Sequence, residues 1–362
     1  MNNIIEHLAE QIRSAAADKR PLCIRGGGTK DFYGHSVQGD MVDTTAYRGI
    51  VDYSPTELVI SVRAGTPLAD VEAAMLEKGQ MLAFEPPHFG SAATLGGCVA
   101  AGLSGPRRAH TGAVRDFVLG VRMLDGRGRD LRFGGQVMKN VAGYDMSRLM
   151  AGALGTLGVL TEISLKVLPR PVAETTLRLK ATPADAVRMM NEWAGRPLPI
   201  TATCYFDGAV TVRLAGAQAA VDKARRDLGG ETIADGASFW SDLREQRLPF
   251  FAGDTPLWRL SVKSTTAPLD LPGTQLIEWG GALRWLKGDA PAEAVRKVAG
   301  NSGGHATLFR AADKTVGVFH PLAPAILNLH HRLKQALDPD GILNPGRMYP
   351  HTSTFDDADA NR

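Results

Sequence analysis

The sequence is poor in cysteine. Of its 362 residues only three are cysteines (Cys23, Cys98 and Cys204), and no two of them form a CxxC pair. Disulfide frameworks, structural zinc sites and iron–sulfur clusters each need several cysteines at suitable spacings. We therefore expect none of these groups in this chain.

Long apolar runs are also missing. No stretch approaches the roughly eighteen apolar residues that a membrane-spanning helix requires, so we expect no direct membrane span. Residues 1–20 mix acidic side chains into a helical apolar pattern, which differs from the layout of a signal peptide. This pattern indicates a surface helix of a cytoplasmic protein.

The numbers of positively and negatively charged residues are nearly equal. The chain has 41 Lys and Arg against 38 Asp and Glu, a net charge of +3, with no cluster of basic and aromatic residues. Nucleic-acid-binding domains concentrate such residues, so we expect no nucleic-acid partner. The GxxxxGK[ST] motif of P-loops is absent, and no GxGxxG opens a helix as in a Rossmann unit.

What the sequence does contain is a series of short β-type runs that changes character at PRP (169–171). Before this point, LVISVRAG (58–65), VRMLDGRGRDLRF (121–133) and GVLTEISLKVL (158–168) predict strands. Between the first two, Thr66 as N-cap and Pro67 in the first turn predict a helix that Gly79 ends. Because Pro-rich stretches interrupt regular structure, PRP marks a domain boundary.

After PRP the pattern is strand, helix, hairpin and helix. ETTLRLKA predicts a strand, Thr182-Pro183 starts a helix, and Asp207-Gly208 is the turn of a hairpin. This order favours an antiparallel sheet with helices on one face. Residues 323–349 predict a helix that ends in an Asp-Pro-Asp-Gly turn, and the polar residues 350–362 indicate a disordered tail.

Three glycine-rich segments before the boundary carry the functional signal. RGGGTK (25–30) can turn successive backbone N–H groups into one concavity, a nest that binds phosphate. EPPHFGSAATLGGCVAAGLSGPRR (85–108) and GALGTLGVLTE (152–162) offer small residues that let the backbone approach a flat ligand. Each segment alone also fits a surface turn, close helix–strand packing or a helix end. Their occurrence together favours a site for a large dinucleotide.

The order of six motifs resembles the FAD-linked oxidases of the vanillyl-alcohol oxidase type. These motifs cover the first half of the chain and its C-terminal end: RGGGTK (25–30), PTELVISVRAGTPLADVEAAMLEKG (55–79), ATLGGCVAAGLSG (93–105), VRDFVLGVRMLDGRG (114–128), NVAGYDMSRLMAGALGTLGVLTEISLKVLPRP (140–171) and LDPDGILNPGRMY (337–349). Within this family the sequence is similar, nearly end to end, to the FAD-binding E subunits of bacterial glycolate oxidases. The further motifs of that likeness are AFEPPHFG, GPRRAHTGAVRDFVLG, RFGGQVMKNVAGYDMSRLM, LIEWGGALRWLK and NSGGHATLF.

The resemblance implies an α+β fold with two domains. A PCMH-type (p-cresol methylhydroxylase-type) FAD-binding domain of two α+β subdomains would span residues 1–170. An α+β cap domain with an antiparallel sheet would span 171–322. Residues 323–349 would return to the flavin domain with the LNPGR segment, and 350–362 would form the disordered tail.

The resemblance also implies noncovalent FAD and assigns its contacts by position. Some relatives attach the flavin through a histidine in the first loop, where this chain has Thr29. The residues expected to contact FAD are those of the pyrophosphate loop (Arg25, Gly26, Gly27, Gly28, Thr29, Lys30), those near the flavin and ribityl groups (Thr94, Gly96, Gly97, Ser104, Gly105), two that meet the nucleotide through their backbone (Gly158, Val159), and Asn344 near the isoalloxazine ring.

The cap departs from relatives that oxidise 2-hydroxy acids themselves. Those relatives carry a metal-binding pair of histidines and an acidic residue there, a pattern that the histidines of this chain do not reproduce (His305, His320, His330, His331). We therefore predict no metal site and identify no catalytic residue.

Three residues stay open candidates on the substrate side. His305 follows two glycines and either faces the flavin or makes an ordinary local hydrogen bond. Arg107 and Arg108 can hold a carboxylate, although paired arginines are commonly solvated or contact a partner protein.

The resemblance implies partners as well. A flavin-containing D subunit, an iron–sulfur F subunit and a small 2-hydroxy acid are expected, with any contact to the inner membrane made through the partner subunits. Three functions remain: an FAD-containing subunit that passes electrons to an iron–sulfur partner, a self-sufficient flavin oxidase or dehydrogenase of another alcohol or 2-hydroxy acid, and a non-catalytic assembly subunit.

Overall fold

Two antiparallel sheets dominate the fold. The computed structural model describes residues 2–135 and 145–349. A five-stranded sheet uses strands that precede residue 170, and an eight-stranded sheet uses strands that follow it. The predicted disordered tail, 350–362, and the start of the motif at 140–171 lie outside the described residues.

The elements before the PRP boundary are short and alternate between helix and strand. They are α1 Asn2–Ala17, β1 Leu22–Arg25, β2 Asp40–Asp43, β3 Ile50–Ser54, β4 Val59–Arg63, α2 Leu68–Leu76, β5 Gln80–Met81, α3 Leu95–Ala101, α4 Arg108–Thr111, α5 Val114–Phe117, β6 Val118–Leu124, β7 Asp130–Gly134, α6 Met146–Leu149, β8 Val159–Lys166 and β9 Leu168–Pro169.

The five-stranded sheet has the order β3-β4-β8-β6-β7, and each neighbouring pair is antiparallel. The hairpin and the strand predicted from 121–133 and 158–168 are confirmed as β6, β7 and β8. Inward side chains such as Ile60 and Ile163 pack against Val71 of α2 and Leu95 of α3, forming the largest cluster of buried apolar residues in this sheet's layer.

Helix α2 starts differently from the prediction. Its N-cap position is Pro67, with no side-chain cap. The Thr66 hydroxyl instead donates to the Arg63 carbonyl at 2.7 Å and accepts from the Gly49 N–H at 2.8 Å. The prediction of Thr66 as N-cap is therefore wrong, because the same hydroxyl holds the preceding turn to the Gly49 loop. Gly79 has a φ of +66°, as expected of the residue that ends this helix.

A small parallel pair, β1 and β2, carries the first glycine loop. Leu22 pairs with Asp40 and Arg25 with Asp43, and Leu22 also bridges to Leu343 from the C-terminal segment. Helix α1 covers this unit with its apolar face, burying Ile12. The layer fixes the end of β1 at Arg25, where the RGGGTK loop begins.

The elements after the boundary build the second sheet and its helices. They are β10 Ala173–Lys180, α7 Pro183–Ala194, β11 Ile200–Phe206, β12 Ala209–Gly216, α8 Gln218–Leu228, β13 Glu231–Thr232, α9 Gly236–Arg244, a 3-10 turn at Pro249–Phe251, β14 Leu257–Ser261, β15 Thr274–Glu278, a 3-10 turn at Trp279–Gly281, β16 Leu283–Lys287, α10 Ala292–Asn301, β17 His305–Arg310 and α11 Pro324–Leu337.

The eight-stranded sheet, called the cap sheet below, has the order β13-β10-β12-β11-β15-β16-β14-β17 with antiparallel neighbours. Two local predictions are confirmed. Thr182 caps α7 by accepting from the Asp185 N–H at 3.2 Å. Asp207 and Gly208 join β11 to β12 with φ of +51° and +70°, the geometry of a type I′ hairpin.

The two faces of the cap sheet have different partners. Helices α7, α8 and α10 pack on one face through residues such as Val187, Val221 and Val295, so the helices predicted from the sequence do share a face. The other face packs against Tyr33 and Leu103 from the first part of the chain. Helix α9, which the sequence pattern does not predict, lies on this second face. The second face therefore closes over the glycine-rich half of the molecule.

The C-terminal segment returns to β1. Helix α11 ends at Leu337, and the Asp338 carboxylate then accepts hydrogen bonds from the Ile342 and Leu343 N–H groups at 3.2 and 2.8 Å. Gly341, with a φ of +66°, completes the predicted Asp-Pro-Asp-Gly turn. This turn places Asn344 directly beside β1.

Candidate functional site

A cleft of about 780 Å³ lies between the small parallel pair and the five-stranded sheet. Most of the residues predicted to contact a cofactor line it, although they come from distant parts of the sequence. They are Arg25, Gly26, Gly27, Gly28, Thr29, Lys30, Thr94, Gly96, Gly97, Gly158 and Asn344.

The RGGGTK loop presents unsatisfied donors to this cleft. The backbone N–H groups of residues 26–30 make no hydrogen bond to any residue in the described ranges. Backbone donors that are partly buried are nearly always paired, so a row of free ones marks a place for an acceptor. Consecutive N–H groups that share one concavity form an anion nest, and the chain therefore fits the phosphate groups of a dinucleotide at this loop.

Two of the three glycines are needed for different reasons. Gly28 has a φ of +71°, which glycine adopts without strain. At Gly27 the φ is ordinary, but a Cβ there would overlap the Ala92 carbonyl oxygen. The loop therefore lies directly on the segment that leads into α3, and a side chain at position 27 would push the two apart.

The charges around the loop are partly neutralised. Arg25 Nε lies 2.7 Å from the Asp31 carboxylate. Lys30 is buried, and its ammonium donates to the His88 carbonyl at 3.1 Å and to the Thr29 hydroxyl at 3.3 Å. Burial lowers the pKa of Lys30. The cleft thus offers an anion backbone N–H groups, with Lys30 as the buried cation behind them.

The C-terminal segment forms one wall through Asn344. Its side-chain oxygen accepts from the Ile24 N–H at 2.7 Å, and its amide nitrogen donates to the Leu154 carbonyl at 2.7 Å. One buried side chain therefore joins β1, the third glycine segment and the chain's last described turn. Arg347, three residues on, lines the same cleft and donates to the Tyr33 carbonyl at 3.0 Å.

Three predicted residues lie elsewhere. Val159 is fully buried between α1 and the sheet, with its backbone paired to Leu124 in β6, and does not line the cleft. Ser104 and Gly105 line a separate cavity of about 350 Å³ against the cap sheet. The resemblance assigned them by position, Ser104 and Gly105 to the flavin and ribityl groups and Val159 to the nucleotide, and their contact with FAD stays a prediction.

The cleft also has lining residues that sequence reasoning missed. Arg347 could have been found from the sequence, because it is the cation that ends the LNPGR motif. The others are the acidic Asp31, Gly155 of the third glycine segment, and apolar or small residues with no pattern of their own: Ile24, Thr44, Ala100, Ala101, Met150, Leu154 and Leu160.

The cavity at Ser104 and Gly105 separates the first part of the chain from the cap sheet. Trp279 closes one side, and its indole N–H donates to the Gly105 carbonyl at 3.0 Å. Glu278 is buried in the wall and accepts from the Trp285 indole N–H at 2.7 Å. Burial raises the pKa of Glu278 to about 7, against the opposing effects of that hydrogen bond and of Arg259.

The two candidate arginines have different surroundings. Arg107 is buried, and its Nε lies 3.1 Å from Glu85, whose carboxylate also lies 2.8 Å from Arg213 in the cap sheet. Burial alone would raise the pKa of Glu85, but Arg213 and Arg107 outweigh it and lower the pKa. Arg107 therefore belongs to an ion cluster between the two parts of the chain. Arg108 lies over the Trp279 ring, 4.4 Å from its centre.

The histidines are spread over the cap and α11. His305 is exposed on β17, and His330 and His331 line a groove between α11 and the third glycine segment. Within the described residues no three His, Cys, Asp or Glu side chains come close enough to hold a metal ion. In the same ranges, no helix has the length and apolar character needed to cross a membrane.

Family models match both ends of the chain. Residues 4–134 match the model described as "FAD binding domain", and residues 320–348 match "FAD linked oxidases, C-terminal domain". The matches include the RGGGTK loop, the α3 segment and the LNPGR segment.

Two curated relatives are glycolate oxidase subunits. The chain is 55% identical to glycolate oxidase subunit GlcE of Escherichia coli over 94% of this chain and 96% of that protein. It is 34% identical to glycolate oxidase subunit GlcD of Bacillus subtilis over 43% of this chain and 34% of that protein.

Solved structures share the fold at low sequence identity. p-Cresol methylhydroxylase with substrate bound superimposes with a TM-score of 0.69 at 16% identity, covering 97% of this chain and 88% of that one. Alkyldihydroxyacetonephosphate synthase superimposes with a TM-score of 0.64 at 16% identity, covering 94% of this chain and 74% of that one. The expected PCMH-type α+β fold is therefore confirmed.

Proposed function

The chain belongs to the FAD-linked oxidases, a family of FAD-dependent oxidoreductases, and from this membership we propose that it is an FAD-binding subunit of a glycolate oxidase complex. In that complex it takes part in the oxidation of glycolate to glyoxylate. Its flavin passes electrons toward an iron–sulfur F subunit, and a second flavin subunit, D, completes the assembly. The likeness to E. coli GlcE along nearly the whole of both chains carries this proposal.

We assign FAD to the cleft between β1 and the five-stranded sheet. The free N–H groups of residues 26–30 would bind the pyrophosphate, and Thr94, Gly96 and Gly97 would lie along the ribityl chain. Bound there, the flavin supplies a two-electron acceptor that can pass electrons on singly. Thr29, in the place where some relatives carry the attaching histidine, supports noncovalent binding.

The two parts of the chain then have separate tasks. Residues 1–170 with 323–349 would hold the cofactor, because every residue of the cleft comes from these ranges. Residues 171–322 would act as the cap, whose sheet covers Ser104 and Gly105 from the other side. This division matches the change of strand pattern at PRP.

Cofactor binding is tested with Gly27→Ala. Because the new Cβ would overlap the Ala92 carbonyl oxygen, the nest must move away from α3, and we expect purified protein with less than a tenth of the wild-type flavin. Gly300→Ala is the matched control, since Gly300 has no atom within 4 Å of an added Cβ. Wild-type flavin content in the Gly27 variant would contradict the assignment of the loop.

The role in the complex is tested by co-expression with D and F subunits. We expect the chain to co-purify with both, and the complex to reduce an artificial electron acceptor in the presence of glycolate. A complex that forms but turns over only other alcohols would favour a different substrate. A chain that takes up no FAD, alone or in the complex, would favour an assembly role.

A further inference from the structure

Arg259 is a charged residue on the inner face of the cap sheet that forms no ion pair with any residue the structure describes, although the Glu278 carboxyl lies near enough to interact with it. It lies on β14 between Trp258 and Leu260, whose side chains pack on the α10 face, so its own side chain points toward the first part of the chain. In the part of the chain that the structure describes, its guanidinium makes no hydrogen bond and no ion pair. The guanidinium lies over the Trp279 ring, with its carbon atom 5.1 Å from the centre of the ring.

Arg108, from the first part of the chain, lies over the same ring without lining the cavity itself. Its guanidinium lies 4.4 Å from the centre of the same Trp279 ring and also makes no hydrogen bond or ion pair within residues 2–135 and 145–349. Burial, then the nearby Arg259, lowers the pKa of Arg108. Two cations thus lie around one indole ring, whose N–H is fixed by the Gly105 carbonyl.

The nearest arginines in the same seam do have a carboxylate partner. Arg107 and Arg213, in the same seam between the two parts of the chain, share the Glu85 carboxylate. The buried carboxylate beside Arg259, Glu278, is hydrogen-bonded to Trp285 and forms no ion pair with it among the described residues. Charges taken out of water are normally paired, so the site around Trp279 is suited to an anion from outside the chain.

The cavity that Arg259 lines indicates the size and chemistry of that anion. It is small, with less than half the volume of the cleft at the RGGGTK loop. Besides Arg259, its polar lining side chains are those of Ser104, Gln246, Glu278 and Arg244, of which Arg244 is ion-paired with Glu245. Phe89, Phe309 and other apolar side chains form most of the remaining wall. A guanidinium fork matches a carboxylate in two parallel hydrogen bonds. A compact carboxylic acid fits this combination.

We propose that Arg259 binds the carboxylate of a small 2-hydroxy acid in this cavity, with Arg108 as a second positive charge beside Trp279. The proposal rests on the proposed function for the identity of the acid, glycolate. It means that this chain carries a substrate site of its own, on the cap side of the residues Ser104 and Gly105. Recognition here uses two arginines and needs no metal ligand from the cap histidines.

The test uses the indole ring as a reporter. Glycolate is titrated into the purified full chain and binding is followed by tryptophan fluorescence, with calorimetry as a second readout that does not depend on turnover. We expect saturable binding of glycolate and none of glycolamide, which has the same size but no charge. Arg259→Gln should weaken glycolate binding by about 10- to 100-fold, the usual effect of losing a charge-assisted pair.

Two further variants keep the result interpretable. Arg259→Lys retains the charge without the fork, so it should bind glycolate more weakly than wild type but more tightly than Arg259→Gln. Arg178→Gln removes an exposed arginine from the same sheet and should bind like wild type. Equal glycolate affinity in wild type and both Arg259 variants would overturn the proposal, as would binding of glycolamide as strong as that of glycolate.

Activity of the complex separates this proposal from the proposed function. The first outcome is that wild-type and Arg259→Gln complexes oxidise glycolate equally well and that the chain alone binds no glycolate. In that case the substrate site lies in a partner subunit, so the Arg259 proposal fails while the proposed function stands. If the complex does not oxidise glycolate but the chain binds a small carboxylate through Arg259, the proposed substrate is wrong and the site stands.

Discussion

Replacing Glu85 by glutamine removes the charge that holds the cap sheet against the first part of the chain. The carboxylate lies between two buried arginines, 3.1 Å from Arg107 Nε and 2.8 Å from Arg213, and it also accepts the Arg107 backbone N–H at 3.0 Å. Glutamine keeps the size and one acceptor oxygen. The perturbation is therefore electrostatic, with little change in packing.

The expected loss in free energy of unfolding depends on the two arginines that remain after Glu85 is neutralised. Both arginine side chains are about 5% exposed, so neither can turn to water when its counterion is gone. Breaking a buried ion pair by removing one partner costs about 3–5 kcal/mol, since the remaining charge stays buried and unpaired. Arg107 retains the more distant Glu174 carboxylate at 3.5 Å, so we expect a loss of free energy of unfolding near the lower end, about 3 kcal/mol.

Urea unfolding at pH 7 measures this loss, and Glu174→Gln is the matched control. Glu174 is one-third exposed and lies farther from Arg107, so its neutralisation should cost less than about 1 kcal/mol. A Glu85→Gln protein as stable as the Glu174→Gln protein would refute the reasoning.

The pH dependence gives a second check on Glu85. Because its pKa in the folded chain lies below the usual 4.5, its stabilisation is present above pH 4.5 and is lost as the pH falls through the lowered value. Wild type should therefore lose more stability than Glu85→Gln on acidification below pH 4.5. Parallel losses in the two proteins would show that the carboxylate is not stabilised by its arginines.

Two further predictions concern Asn344 and Glu278. Asn344→Ala leaves the partly buried Ile24 N–H and the buried Leu154 carbonyl without their Asn344 partner. It should lower the free energy of unfolding by about 1–3 kcal/mol and reduce flavin content, measured by urea unfolding and absorbance; unchanged values would contradict the role of Asn344 in joining β1 to the third glycine segment. Glu278 has a folded pKa of about 7 against an ordinary 4.5, so the folded chain binds the extra proton and loses stability as the pH rises through this window, by up to about 3 kcal/mol. Glu278→Gln should remove that fall between pH 5 and pH 8, and an unchanged slope would argue against a protonated Glu278.

The glycine loops leave a signal in the sequence because their backbone conformation and close packing depend on residues without a side chain. A position such as Gly27, where any Cβ would meet Ala92, leaves its mark directly in residue identity. Local turns such as Asp207-Gly208 and helix caps such as Thr182 could be predicted because they depend on residues close together in the sequence. Thr66 was not, since its hydroxyl had a competing acceptor in the preceding turn and a donor in the Gly49 loop.

Side-chain partners across the fold could not be predicted in this way. Arg107 and Arg108 are neighbours in sequence, yet one pairs with Glu85 and the other lies over Trp279. Arg259 alternates with apolar residues like any half-buried strand position, and nothing local shows that its side of the sheet faces Ser104 and Gly105. These relations depend on which sheet faces which, and that is decided by packing over the whole chain.

The bridge made by Asn344 has a consequence for the order of biosynthesis. The RGGGTK loop leaves the ribosome early, but the cleft it belongs to gains its last walls only when Asn344 and Arg347 have been made. With FAD assigned to this cleft as proposed above, a nascent chain has no complete site for the flavin until these residues have been synthesised. Insertion of FAD is then a late step that takes place only after residue 347 has been synthesised.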